Sequence, residues 1–102
     1  MAEGLKHDGG KLEINLLIFK YLFGVIKVLM FGAKKYKPNS WQNVENGAVR
    51  YYAALGRHYF AMQKDDVSLD LNALDEESGL PHVWHMQCNA YFLEKFRQDI
   101  NK

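Results

Sequence analysis

The chain has 102 residues with 48% hydrophobic and 25% charged content, which is one globular domain's worth and too apolar for a disordered segment. The 13 basic and 12 acidic residues leave a formal net charge of +1, so no overall positive field points to DNA or RNA, and no nucleic-acid partner is expected. The single cysteine, Cys88, excludes an internal disulfide and a cysteine-based zinc site; it reads as a small buried apolar residue.

Residues 1–13 form a polar arm containing Gly4, Gly9 and Gly10. No apolar run follows a basic start there, so no secretory signal is expected. Residues 16–33 are strongly apolar. Lys20 and Lys27 interrupt that run, and each costs about 2.5 to 3.5 kcal/mol at a bilayer centre. A membrane span is therefore not expected, and a cytoplasmic setting fits.

The first helix is expected over about 14–36. It is apolar nearly all round, with Lys20, Lys27 and Lys34 seven residues apart on one stripe. So narrow a polar stripe predicts burial on most sides. In a chain this short, that means a bundle completed by oligomerisation. Gly32 is expected to allow close packing or to loosen the last turns.

A connection follows over 37–46, with Pro38 and Asn39 as turn residues. Trp41 within it is either a plug in the core or a stacking surface for a base. The second helix is expected over about 47–64, with Asn46 as its cap. Arg50, Arg57 and Lys64 repeat the seven-residue spacing and share a stripe. Residues 65–79 are an acidic loop with apolar anchors. The third helix is expected over about 80–98, with Ser78 as its cap and Pro81 in its first turn.

The charges are sorted along the chain. Residues 14–64 carry eight basic residues against one acid, Glu45, whereas residues 65–77 carry six acids and no base. The plain reading is a solvated basic face and a solvated acidic loop. The sharper reading is an anionic ligand on the bases and a cation among the acids, which a metal-bound nucleotide requires.

The densest chemistry is in DEESGLPHVWHMQCN. His82, His85 and Asn89 fall on one helical face. Two histidines three apart can share a metal, and Asp75 or Glu77 can complete such a site. The alternative is that His82 bonds the acidic loop and His85 is a satisfied interior side chain. His58 lies beside Arg57 on the second helix. In GAKKYKPNSW, Lys34 and Lys35 can meet phosphate while Tyr36 or Trp41 meets a base. No Walker loop and no nucleophile elbow occurs.

In combination these blocks resemble one family. KHDGGK, GAKKYKPNSW, RYYAALGRH and DEESGLPHVWHMQCNAYFL occur in the order found in the N-terminal domain of the phage dATP/dGTP diphosphohydrolases, relatives of the MazG-type nucleotide pyrophosphohydrolases. The resemblance covers about residues 6–95. It implies an all-α, MazG-like bundle of three main helices, a homo-oligomer in the infected host cell, and a purine nucleotide ligand. The implied reaction cleaves a purine deoxynucleoside triphosphate to monophosphate and pyrophosphate with Mg²⁺ or Mn²⁺. Matching positions are Asp8 and Lys11 in the arm, then Lys35, Tyr36, Asn39 and Trp41. Arg50, Tyr51, Arg57 and His58 follow, then Asp75, Glu77, Ser78, His82, His85 and Asn89.

MazG-type enzymes hold metal with carboxylates paired three residues apart on two helices. This chain has Lys20, Phe23 and Lys27 on its first helix and no such pair on its second. Three readings therefore stand. In an enzyme, Asp75 and Glu77 hold the metal, and His58, His82 or His85 orients water or a phosphate oxygen. Lys35, Arg50 and Arg57 neutralise the phosphates. In a binding module, the chain sequesters a nucleotide or cyclic nucleotide, for example a host defence signal, without cutting it. In a structural bundle, there is no small ligand.

Overall fold

The computed structural model describes residues 9–102; Asp8 lies outside them. Three α-helices carry the fold: α1 (Phe23–Lys35), α2 (Gly47–Met62) and α3 (His82–Ile100). Three short 3₁₀ turns accompany them at Ile14–Leu16, Phe19–Leu22 and Ser40–Asn43. No strand forms among the described residues, only isolated bridges at Gln63–Leu69 and Leu74–Pro81. The fold is all-α, as expected, and no helix is long and apolar enough to cross a membrane among the described residues.

The third helix is the shared wall. It packs along α2 and also against α1, whereas α1 and α2 have little direct contact. A small core forms where α1 meets α3. Val25, Val28 and Cys88 are buried there, with Leu29, Leu80, Trp84 and Phe92 packed around them. Close approach is set by Gly24, because a Cβ at that position would lie 2.3 Å from Cγ of Trp84. Of the two expectations for Gly32, close packing is corrected: nothing lies within 4 Å of a Cβ built there. The close-packing glycine is one helical stretch earlier, where the bulky indole arrives.

The first helix is shorter than its apolar run. Leu17 is extended and breaks the chain between the first two 3₁₀ turns, so α1 begins only at Phe23. A helix needs tertiary packing to hold it, and Ile14 and Leu16 are mostly exposed within this chain. Burial on most sides is also not what one chain provides. Phe23, Ile26 and Met30 remain more than half exposed on α1.

Of the two expected caps, Asn46 falls at its expected place and Ser78 does not. Asn46 occupies the N-cap position of α2 with φ 57°, and its side chain makes no capping bond. Pro81, not Ser78, precedes α3. The Ser78 hydroxyl is used elsewhere, as described below.

Several aspartates of the acidic loop bond its own backbone. Asp65 Oδ1 accepts the N–H groups of Val67 and Ser68, both at 2.9 Å, and Asp70 Oδ1 accepts that of Asn72 at 3.0 Å. These are Asx turns, in which a carboxylate substitutes for a backbone acceptor. Two longer ties bind the loop to the helix ends: Asp70 N–H donates to Met62 O at 2.8 Å, and His82 N–H donates to Ala73 O at 2.9 Å. Gly79 turns the chain at φ 72°, a conformation that a side chain would strain. The loop thus folds back from the end of α2 and delivers Asp75, Glu77 and Ser78 beside the start of α3.

Candidate functional site

Because α1 and α2 lean separately on α3, a cleft of about 820 Å³ opens between them. That volume is within the range of small-molecule sites. Lys35, Tyr36, Asn39 and Trp41 line it from the end of α1 and the following turn. Arg50, Tyr51, Arg57 and His58 line it from α2. Asp75 and Glu77 enter from the acidic loop, and His85 and Phe92 from α3.

The aromatic wall has a definite order. Trp41 stacks on Phe92 with ring centroids 4.3 Å apart and planes 25° from parallel. Tyr51 packs on Phe92 from the other helix at 4.7 Å, and its hydroxyl donates to Trp41 O at 3.2 Å. The Trp41 ring packs on Phe92, and the residue also lines the cleft.

Opposite charges are unequal in the lining. Lys35, Lys37, Arg50 and Arg57 are present against Asp75 and Glu77. Glu77 forms an ion pair with Lys35, and that bond raises the lysine's pKa. Asp75 Oδ2 accepts the Ser78 N–H at 2.8 Å. Burial pushes Asp75 upward, but the bonds from Ser78 and the neighbouring His85 and His58 outweigh it, so the carboxyl sits below its usual range.

Three histidines from two helices meet beside these acids. The Nδ1 atoms of His58 and His82 are 2.8 Å apart and share a hydrogen bond, one ring donating and the other accepting. The rings of His58 and His85 stack at 4.6 Å and 8° from parallel. His85 Nε2 and Ser78 Oγ share a hydrogen bond of 2.7 Å, and Ser78 Oγ also accepts the Leu80 N–H at 3.1 Å. Asp75 Oδ2 is 4.0 Å from His85 Nε2. Burial, then the nearby His85 and His82, push His58 down to about 4. Burial also lowers His85. His58 is therefore neutral at pH 7 and available as a proton acceptor or a lone-pair donor.

Not every expected site residue lines the main cleft. His82 lies on a smaller recess with Ala61, Ala73, Leu74, Asp75 and Glu76. Asp75 borders both recesses, so the His58–His82 contact lies in the partition between them. Asn89 is buried in α3 at 6% exposure, and Lys11 is exposed ahead of the first 3₁₀ turn; neither lines the cleft. Ser78 reads as a helix cap in the sequence, yet it links His85 to the loop. Its place between Glu77 and Gly79, one turn before two histidines, was the available signal.

The dATP/dGTP diphosphohydrolase, N-terminal family matches residues 1–102. The chain belongs to this family. The match spans the arm, the cleft-lining blocks and the histidine cluster together. No curated protein and no solved structure matches the chain.

Proposed function

We propose that the cleft binds a purine nucleoside triphosphate and that the protein cleaves it to monophosphate and pyrophosphate. The family's description supports the substrate class. The observation that carries the reading is one cleft holding both a cationic set (Lys35, Arg50, Arg57) and an aromatic set (Tyr36, Trp41, Tyr51). Triphosphate carries charge that the cations neutralise as it redistributes on cleavage. A flat base fits an aromatic lining.

In this reading the phosphates lie toward Lys35, Arg50 and Arg57, with Asn39 as a further polar contact. His58 is the candidate proton acceptor for the attacking water, since it is neutral at pH 7. Asp75 and Glu77 are the candidate acids. A divalent ion, when bound, would offset phosphate charge and lower the pKa of a water ligand. Mg²⁺ demands oxygen donors in near-octahedral array. Glu77 is paired with Lys35, and the donors beside Asp75 are imidazole nitrogens, so these residues fit Mg²⁺ poorly.

The exposed apolar side chains of α1 (Phe23, Ile26 and Met30) support the reading that the chain works as a homo-oligomer. The test of function is incubation of purified protein with each dNTP and NTP, with Mg²⁺ or Mn²⁺, and separation of products by anion exchange. Monophosphate and pyrophosphate are expected, with a purine preference. Intact nucleotide across the panel would overturn the hydrolytic reading.

A second reading rests on a specific observation. Both acids that line the cleft are engaged, Asp75 by Ser78 and Glu77 by Lys35. That arrangement suits a module that holds a nucleotide or cyclic nucleotide without cutting it. It predicts intact ligand in the supernatant after heat denaturation of the complex.

A further inference from the structure

We infer that His58, Asp75 and His82 form a binding site for a divalent transition-metal ion of the Zn²⁺, Co²⁺ or Mn²⁺ class. One nitrogen from each histidine and one carboxylate oxygen of Asp75 lie within 4.8 Å of one another. The three come from different parts of the chain: α2, the acidic loop and the first residue of α3. Only the tertiary fold assembles them.

The donor chemistry selects the ion. Two imidazoles and one carboxylate suit Zn²⁺, Co²⁺ or Mn²⁺, whereas Mg²⁺ prefers oxygen alone. Two nitrogens on a shared ion at about 2.0 to 2.1 Å sit roughly 3.0 to 3.4 Å apart. The Nδ1 atoms of His58 and His82 are 2.8 Å apart, so the pair has to open by only a few tenths of an ångström. A turn of the Asp75 carboxylate supplies the third ligand. The hydrogen now shared between the rings moves to the other nitrogen of its own ring, so a tautomer change frees both lone pairs without net loss of a proton.

The ligands are held from outside. His85 stacks on His58 and bonds Ser78; the Ser78 N–H in turn holds Asp75. Such outer contacts fix ring and carboxylate orientation and sustain metal affinity. Three protein ligands leave coordination positions open, as in catalytic rather than structural sites. His58 and Asp75 border the main cleft, and Asp75 and His82 border the smaller recess. Glu77 is not in the set; its carboxylate pairs with Lys35.

The inference does not rest on nucleotide cleavage, and its test contains no nucleotide. Tag-free protein is stripped with chelator and titrated with Co²⁺ and with Zn²⁺, read by visible absorption and calorimetry. One equivalent of Co²⁺ is expected to give a d–d band that Zn²⁺ displaces and a hundredfold excess of Mg²⁺ does not. His58→Ala and His82→Ala should each weaken binding at least tenfold, and Glu94→Gln, at an exposed residue paired with Arg97, should leave it within twofold. Far-UV circular dichroism checks that the variants fold. In wild-type protein, Zn²⁺ should shift the imidazole nitrogen resonances of His58 and His82, a reading that needs no variant. Absence of a stoichiometric Co²⁺ band, equal displacement by Mg²⁺, or unmoved His58 and His82 resonances would each overturn the site.

Discussion

His58 and His82 touch through their Nδ1 atoms at 2.8 Å, although 24 residues separate them in the chain. The contact joins the last third of α2 to the first residue of α3. It makes the acidic loop a closed strap rather than a free excursion. His85 stacks on the same ring, so one histidine carries contacts to two others.

That cluster makes stability depend on pH in a defined window. His58 titrates near 4 in the folded protein against an ordinary 6.5, and His85 is lowered too. Between those values the unfolded chain binds protons that the folded chain excludes, so stability rises with pH and falls on acidification from about 6.5 toward 4. The groups around His58 are His85, His82, Asp75 and Arg57. Asp65 and Asp75, whose carboxyls sit below 3.8, contribute only at lower pH. Urea midpoints at pH 7.5, 6.5 and 5.5 should fall in that order. His58→Gln should flatten the slope, and an unchanged slope in that variant would contradict the assignment.

Glu77→Gln separates two roles. It removes the partner of Lys35, so the lysine is freed for phosphate and nucleotide Kd should stay equal or tighten. In the hydrolytic reading, kcat should fall at least a hundredfold, with folding intact because the pair is exposed and screened by solvent. Single-turnover kinetics beside a binding titration resolve the two effects. Retained turnover would remove Glu77 from the chemistry.

Two glycine substitutions should act in opposite directions. Gly24→Ala places a methyl 2.3 Å from Cγ of Trp84, and the indole is packed against the core. Overpacking of this kind costs about 1 to 3 kcal/mol, more than the helical preference of alanine returns. Gly56→Ala meets nothing within 4 Å and lies inside α2, so it should stabilise by about 0.5 to 1 kcal/mol. Denaturant unfolding of the two variants checks both signs.

Cys88 is 1% exposed, and burial pushes its thiol up to about 12. A protonated, enclosed thiol is a poor nucleophile. Ellman's reagent should therefore react with it only at the rate of unfolding. A fast stoichiometric reaction in native buffer would contradict the packing at the α1–α3 core.

Much of the fold is legible in the chain. The apolar pattern locates α2 and α3 near their observed bounds, because each must present an apolar stripe to a neighbour, whereas α1 begins only at Phe23. The short motifs also carry the cleft lining, since GAKKY, the Arg50–His58 stretch and the Asp75–Glu77 stretch each deliver their side chains locally. The clearest misreadings concern relations between segments. Gly24 rather than Gly32 is the packing glycine because Trp84 of another helix fills the space above it. Ser78 looks like a cap in one dimension, yet its hydroxyl meets His85 in three.

The sequence by itself determines the helical class, the separation of basic and acidic segments, and the buried character of Cys88, because periodicity, charge and size act within a few residues. The tertiary structure alone decides which histidine faces which, that Asp75 borders two recesses, and that α1 and α2 rest apart on α3 so that a cleft opens. Those outcomes depend on the path of the loop between Met62 and His82 and on the helix faces that pack. Contacts of that range come from chain closure and side-chain fit, and no local pattern encodes them.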